Sequence, residues 1–286
     1  MPTPSLAERY LARLGIAKPE RLDLPTLTSI LEAHLRAIPW ENVSSFTGTP
    51  VSMDKEAVLS KMLEGRRGGY CMEHALLSRE ALAAIGFKTE AILARVYADP
   101  TAVTAMAQTH CATVVTVEGG EYVFDAGFGR ATPTIPVRLD AGSVAQTGPF
   151  GSYRVRSAAE AREAVGAQKM GDDVLLVLES RFGDDWTPCY GFTPRPVVDA
   201  DIIAMNWFVC TYPGGLFSSN LLCATWNNNY RVTCFGKHFK KVNQDGITEA
   251  DVTSRDEVQR WLCVEMGLSL DATTVDAVWQ NLNKQE

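Results

Sequence analysis

Arg67-Gly68-Gly69-Tyr70-Cys71 places a cysteine behind two glycines and at the mouth of a predicted helix, along which Leu77, Ala81 and Ile85 share one face before Gly86 ends it. The first N–H groups of a helix lack intrahelical partners and carry a partial positive charge, so a thiolate is favoured there over the thiol. Cys71 is therefore a candidate nucleophile. The same stretch divides the chain, because the pattern before it is helical and the pattern after Gly86 alternates.

Upstream, Ser5 and Glu8 form a capping box ahead of Leu6, Tyr10, Leu11 and Leu14, and Gly15 ends that helix. A second helix runs from about Thr26, with Leu27, Ile30, Leu31, His34, Leu35 and Ile38 at helical spacing until Pro39. A third carries Val58, Met62 and Leu63 and closes at Gly65. Downstream, Thr89 to Tyr97, Cys111 to Val117 and Tyr122 to Asp125 read as strands, with Gly119-Gly120 as a hairpin turn. Further strands are expected at Tyr153 to Val155, Asp173 to Glu179, Trp186 to Phe192, Asn220 to Thr225 and Tyr230 to Cys234. Two helices close the chain, one capped by Ser254 and Glu257, the other carrying Val275, Val278, Trp279 and Leu282. Helices, then strands, then strands with helices indicate an α+β fold, with a boundary expected near Pro194-Arg195-Pro196.

Length and composition bound the function. The 286 residues, 46% hydrophobic and 21% charged, suit an ordered chain of one large or several interdependent domains without repeats. A net charge of -7 argues against nucleic acid or an anionic membrane as the main partner, while leaving room for a local basic pocket. The N-terminus enters an amphipathic helix without a signal-like segment, and no apolar run is long enough to span a bilayer, so a cytoplasmic protein is expected. Asn42-Val43-Ser44 is then a chance glycosylation sequon. The seven cysteines lack any C-x-x-C pair and read as reduced thiols, mostly small core residues.

A cysteine nucleophile needs a base, and the base needs a group that fixes its tautomer. Four histidines compete. His34 lies on an apolar helical stripe and reads as a satisfied core residue. His74 follows Cys71 by three residues and is expected to point along the flank of the helix. His238 sits in the basic stretch Lys237 to Lys241, read as a solvated or phosphate-facing loop. His110 opens a strand after an irregular stretch, where sheet-edge catalytic groups sit. Asp125 ends an apolar strand before Ala126-Gly127-Phe128-Gly129, and a carboxylate there requires a partner, either structural or a histidine to orient. A Gly119-Gly120 turn would set Asp125 opposite Val114, on the order of 13 Å from His110, so contact would require a bulge, bend or longer loop.

Arg67-Gly-Gly-Tyr-Cys-Met-Glu-His74, Gln108-Thr-His110 and Phe124-Asp-Ala-Gly-Phe-Gly129, in this order, resemble the arylamine N-acetyltransferase family. Ile38-Pro-Trp-Glu-Asn42, Gly86-Phe87, Ala94-Arg-Val96, Asn206-Trp-Phe and Tyr212-Pro-Gly-Gly-Leu-Phe217 add to the likeness, which spans about residues 5 to 265. The resemblance implies a papain-like triad of Cys71, His110 and Asp125 in an N-terminal helical bundle (1–88), a central antiparallel β-barrel (89–200) and a C-terminal α/β lid (201–286). It also implies ping-pong transfer of acetyl from acetyl-CoA through a cysteine thioester to arylamines, arylhydrazines or N-hydroxyarylamines, with no metal. The state implied is a monomer or homodimer. Tyr97, Phe128 and Phe217 are placed by it near the acceptor, and Arg9, Glu41 and Arg67 in a buried ion-pair cluster; Thr109, Gly129 and Arg130 lie beside the triad positions and are read as contacts to the donor's pantetheine or phosphates. Ala75 departs from the family's usual asparagine, a change that bears on a supporting hydrogen bond and not on the nucleophile; Phe124 and Ala126 are milder changes.

The same triad could serve a thiol hydrolase or an amide synthase. A binding module with an inert core thiol at Cys71 is the alternative from another class. Metal binding has little support, since Cys71, His74, His110 and Cys111 lack a ligand spacing.

Overall fold

Capping chemistry sets the first helices. In the computed structural model, which describes residues 3–97, 104–140, 142–227 and 229–284, Ser5 Oγ accepts the Glu8 N–H at 3.3 Å and Glu8 Oε2 accepts the Ser5 N–H at 2.7 Å. This starts α1, Leu6–Leu14, which ends at Gly15 with φ 70°. The next helix, α2, is Leu24–Ala37, two residues longer at its start than expected because Asp23 caps it and Pro25 fits its first turn. β1 (Trp40–Glu41), α3 (Val43–Phe46) and α4 (Lys55–Leu59) follow, α4 running on through a π turn, Ser60–Glu64. α5 is Cys71–Ile85. Tyr10, Leu27, Leu31, Met62, Leu77 and Ala81 pack these helices into one core, each large side chain contributing about 1.5–3 kcal/mol by burial.

Beyond α5 the strands are β2 (Lys88–Val96), β3 (His110–Val117), β4 (Gly120–Phe124), β5 (Val137–Arg138), β6 (Gln146–Thr147) and β7 (Ser152–Ser157). A short helix, α6 (Ala158–Val165), precedes β8 (Leu176–Arg181) and β9 (Thr187–Phe192). These eight strands form one antiparallel sheet in the order β5-β4-β3-β2-β9-β8-β7-β6. The Gln146 side chain of β6 accepts from Arg138 N at 2.7 Å and donates to Arg138 O at 3.1 Å, so the two edges meet and the sheet nearly closes into a barrel. Ile92, Ala112, Val114, Tyr153, Leu178 and Phe192 fill it.

The β3–β4 hairpin corrects the expected register. Its two turn residues are Glu118 (φ 52°) and Gly119 (φ 75°), a pair of positive φ values that suits a tight hairpin, and Val117 faces Gly120. Gly120 belongs to the strand, where a Cβ would stand 3.1 Å from the Tyr122 ring. Thr113 therefore faces Phe124, and Asp125, the next residue, stands beside Ala112 rather than Val114. No bulge between β3 and β4 is needed.

The last segment comprises α7 (Asp199–Thr211), α8 (Leu216–Ser219), β10 (Leu222–Trp226), β11 (Tyr230–Phe235), β12 (His238–Asn243), β13 (Gly246–Asp251), α9 (Arg255–Gln259) and α10 (Ala272–Asn283). Its sheet has the order β1-β10-β11-β12-β13, so a piece of the N-terminal half supplies one edge. His238 lies on a strand, not in a loop. Phe239 beside it is fully buried and stacks on Trp261 at 5.3 Å, and this single inward side chain organises β12. All seven cysteines are free, and the amide of Asn42 is spent inside, donating to Phe217 O and Asn220 O.

Candidate active site

Backbone contacts fix the start of α5. Gly68 and Gly69 pass so close to the Pro39–Glu41 segment that a Cβ on Gly68 would lie 1.9 Å from Pro39 O. Glu41 N–H donates to Gly69 O at 2.8 Å, and Gly69 N–H to Pro39 O at 3.4 Å. Glu73 Oε2 reaches back to accept the Tyr70 N–H at 3.1 Å, which aims a first-turn carboxylate at an N–H that would otherwise be orphaned. Tyr70 donates its hydroxyl to Asn206 Oδ1 on α7, and Asn206 in turn donates to Val51 O at 2.8 Å. The start of α5 thus meets the Pro39–Glu41 segment and α7, and Thr109 before β3 closes on the cysteine. Cys71 is 3% exposed, with its sulfur 3.6 Å from Thr109 O.

His110 and Asp125 meet. His110 Nε2 lies 2.8 Å from Asp125 Oδ2, although the two are not directly opposite on the hairpin. Diagonal neighbours across an antiparallel pair are within reach of long side chains, and Asp125 has just left the strand. The carboxylate also accepts the Tyr190 hydroxyl at 2.8 Å on Oδ2 and the Gly127 N–H at 2.9 Å on Oδ1, so its burial is compensated. Burial works against a charged His110, but the Asp125 charge and hydrogen bond, with the Cys71 side chain, outweigh it and raise its pKa from 6.5 to about 10. Cys71, His110 and Asp125 are assembled in one buried site.

Of the other expected site residues, Phe128 packs edge-on against His110 at 4.9 Å between ring centroids. Phe217 packs against Trp40 and Tyr70, each at 5.4 Å. Tyr97 is not brought to them; it lies with Val174 and Met170 beside α6. Gly129 covers the Trp40 ring with φ 63°, and Arg130 is exposed next to it. Tyr190 and Trp40 were missed by the reading of the sequence. Tyr190 sits on β9, distant in sequence from the motifs, and Trp40 donates Nε1–H to Gly127 O at 2.7 Å, pinning the turn after Asp125. Only the Trp40 neighbourhood of Ile38 to Asn42 gave a signal. Replacing Tyr190 by Phe should cost about 1–3 kcal/mol in urea denaturation, since a buried carboxylate loses one of its donors.

The expected ion-pair cluster is redrawn. Glu41 pairs with Arg67 at 2.8 Å and with Lys61 at 3.8 Å, and Lys61 also holds Glu73 at 2.8 Å. Arg9 is elsewhere, on Glu56 and Glu64 at the surface of the bundle. Burial raises the Glu73 pKa, while for Glu41 the charges of Lys61 and Arg67 overcome burial and lower it. A cavity of about 250 Å³ lies behind α5, lined by Ala75, Arg79, Ala91, Cys111 and Ile202 among others, and no triad residue lines it. Among the described residues no group of three His, Cys, Asp or Glu side chains could hold a metal, and no helix is long and apolar enough to cross a membrane.

A family model described as N-acetyltransferase matches residues 23–275. The arylamine N-acetyltransferase of Mycolicibacterium smegmatis is 37% identical over 248 residues, 84% of this chain and 83% of the relative. The arylamine N-acetyltransferase / N-hydroxyarylamine O-acetyltransferase of Salmonella typhimurium is 28% identical over 272 residues, covering 93% and 90%. The solved structure of Mycobacterium marinum arylamine N-acetyltransferase in complex with CoA superposes with a TM-score of 0.83 at 30% identity, covering 96% of this chain and 97% of that one.

Proposed function

This chain belongs to the arylamine N-acetyltransferase family and is an acetyl-transferring enzyme, and we propose that Cys71 carries the acetyl group as a thioester between acetyl-CoA and an aromatic nitrogen or N-hydroxyl oxygen. The observation that carries this reading is the 2.8 Å bond between His110 and Asp125 beside a cysteine that opens a long helix.

Asp125 accepts the Nε2 proton of His110, so Nδ1 is the ring nitrogen left for the thiol. His110 takes the Cys71 proton and keeps it as an imidazolium, whose charge Asp125 balances. The thiolate adds to the carbonyl carbon of acetyl-CoA. A new S–C bond forms, the developing oxyanion lies near the positive end of α5, and the bond to the CoA sulfur breaks as that sulfur leaves with the His110 proton. The amine nitrogen then attacks the acetyl-enzyme, His110 receives its proton, and the Cys71 thiolate departs. Cys71 is buried in one cluster with Trp40 and Phe217 while Phe128 packs on His110, which keeps water from the thioester and favours transfer over hydrolysis.

Phe128 and Phe217 give the acceptor an aromatic wall. Thr109, Gly129 and Arg130 are assigned to the donor. Neither Arg130 nor Arg231 has an ion-pair partner among the described residues; Arg231 lies over the Trp226 ring at 5.1 Å, and burial and the charge of Arg130 lower its pKa. Two adjacent cations without a carboxylate suit the phosphates of CoA. Mass spectrometry after exposure to acetyl-CoA tests the reading: an acetyl adduct on the Cys71 peptide, discharged by an arylamine to its amide, is expected. A thiol that alkylates but never acetylates, or an adduct lost to water as fast as to amine, overturns it.

A further inference from the structure

The mechanism leaves two buried histidines unused. His34 on α2 and His74 on α5 are 0% and 1% exposed, and neither points along a solvated flank. His74 Nε2 lies 3.3 Å from Pro39 O, which can only accept, so Nε2 carries the proton and Nδ1 is an acceptor. His34 Nε2, 2.8 Å from that Nδ1, must then donate. His34 Nδ1 is left as an acceptor, and the Tyr10 hydroxyl, 2.8 Å away, donates to it. Every link has one direction. The chain runs from α1 through α2 and α5 to the carbonyl that also receives the Gly69 N–H.

Its far end touches both sides of the triad. His74 begins the backbone ladder of α5, its N–H donating to Tyr70 O at 3.0 Å. Gly127 rests against this turn so closely that a Cβ there would be 2.9 Å from Cys71 Cα and 3.1 Å from His74 Cβ. The His34 ring meets Phe124, the residue before Asp125, edge-on at 6.3 Å. We propose that Tyr10, His34 and His74 form a one-way hydrogen-bond chain that seats the first turn of α5 against Pro39 and the Asp125–Gly127 turn, with His74 the positioning residue for the Cys71 thiol. This inference rests on Cys71 being the nucleophile.

The direction of the chain makes it sensitive to acid. A proton on His74 Nδ1 would confront the His34 Nε2–H, two donors facing at hydrogen-bond distance. The groups facing His74 are His34 from α2, the Pro39 carbonyl, Asp125 after β4, Lys61 from the π turn and Glu41 from β1; Arg13 from α1 faces His34. Burial dominates both rings and holds them neutral, lowering the His74 pKa to about 4 and His34 well below its ordinary value.

The test follows alkylation of Cys71 by iodoacetamide and single-turnover acetylation, both across pH, in the full chain. His74→Leu is expected to slow acetylation about tenfold with the KM for acetyl-CoA unchanged, as misplacement of a reacting group does. It should also abolish the fall in alkylation near pH 4. His74→Gln, whose amide reaches the position of Nε2 and keeps a donor for Pro39 O, should recover most of the rate. Tyr10→Phe, which removes only the terminal donor and keeps the packing, should move the acid fall to higher pH, because a bare His34 Nδ1 protonates more readily. This variant decides the matter if His74→Leu does not fold. Parent-like rates and pH profiles in Tyr10→Phe and in a folded His74→Leu overturn the proposal, even where the melting temperature drops. A parent enzyme that alkylates but forms no acetyl adduct would instead overturn the reading of function, so the two failures are distinct.

Discussion

Asp125→Asn should lower kcat/KM for acetyl transfer by roughly 10³- to 10⁴-fold, about 4–5.5 kcal/mol, while leaving the chain folded. The size of the loss follows from the hydrogen bonds. Asp125 Oδ1 accepts the Gly127 N–H and Oδ2 faces His110 Nε2 and the Tyr190 hydroxyl. An asparagine that keeps its oxygen toward Gly127 turns its NH₂ toward Nε2, which must then accept. The ring proton moves to Nδ1, and the lone pair that would take the Cys71 proton is gone. Loss of the negative charge also removes what holds the His110 pKa at about 10. Because that pKa is raised above 6.5 on folding, its contribution to stability is fully present below pH 6.5 and is lost as pH rises through about 10. Melting temperature in the parent is therefore expected to decline between these limits, and in Asp125→Asn this decline should disappear. A variant with parent kinetics would show that Asp125 is structural only.

Gly68→Ala should destabilise the chain by more than about 4 kcal/mol, or prevent it from folding. The added Cβ would stand 1.9 Å from Pro39 O, 2.9 Å from Pro39 C and 3.0 Å from Glu41 Cγ. Two of these are backbone atoms, and the oxygen already accepts from Gly69 and faces His74. Relief would require the Pro39–Glu41 segment to leave α5, taking with it the β1 edge of the last sheet and the Trp40 bond to Gly127. Gly183→Ala, with nothing within 4 Å of the new methyl, is the control and should change stability by less than about 0.5 kcal/mol. Urea denaturation followed by circular dichroism compares the two, and an equal effect would mean that the close approach at Gly68 is not tight.

Much of this architecture was legible where the signal is local. Ser5 with Glu8, Asp125 at a strand end and the apolar face after Cys71 each express a preference of neighbouring residues, and the elements form there. Local reading was weakest where a few contacts decide. β12 is held by one inward Phe239, and α7 carries too even a pattern to be read as a helix beforehand, whereas α6 offered a local signal, Ser157 with Glu160 ahead of an alanine-rich run, that went unread. The hairpin register turned on which two of three residues, Glu118, Gly119 and Gly120, take positive φ; they are Glu118 and Gly119, and Gly120 sits in the strand tight against Tyr122. Arg9 was misassigned because any of several carboxylates satisfies a surface arginine, and its neighbours Glu56 and Glu64 are set by helix packing.

The parts of the site are written along the chain: a cysteine at a helix mouth, a histidine at a strand start, an aspartate before a glycine-rich turn, and an order of motifs that belongs to one family. How they meet is a matter of packing. Whether Asp125 reaches His110 depends on a two-residue difference in register. Whether His74 is a bystander or part of a buried chain depends on Tyr10 and His34 arriving from other helices. Tyr97 was drawn away to α6, and Tyr190 was brought in from β9. Local propensity acts over a few residues, whereas a hydrogen bond between residues 65 positions apart exists only after the barrel has brought its strands together.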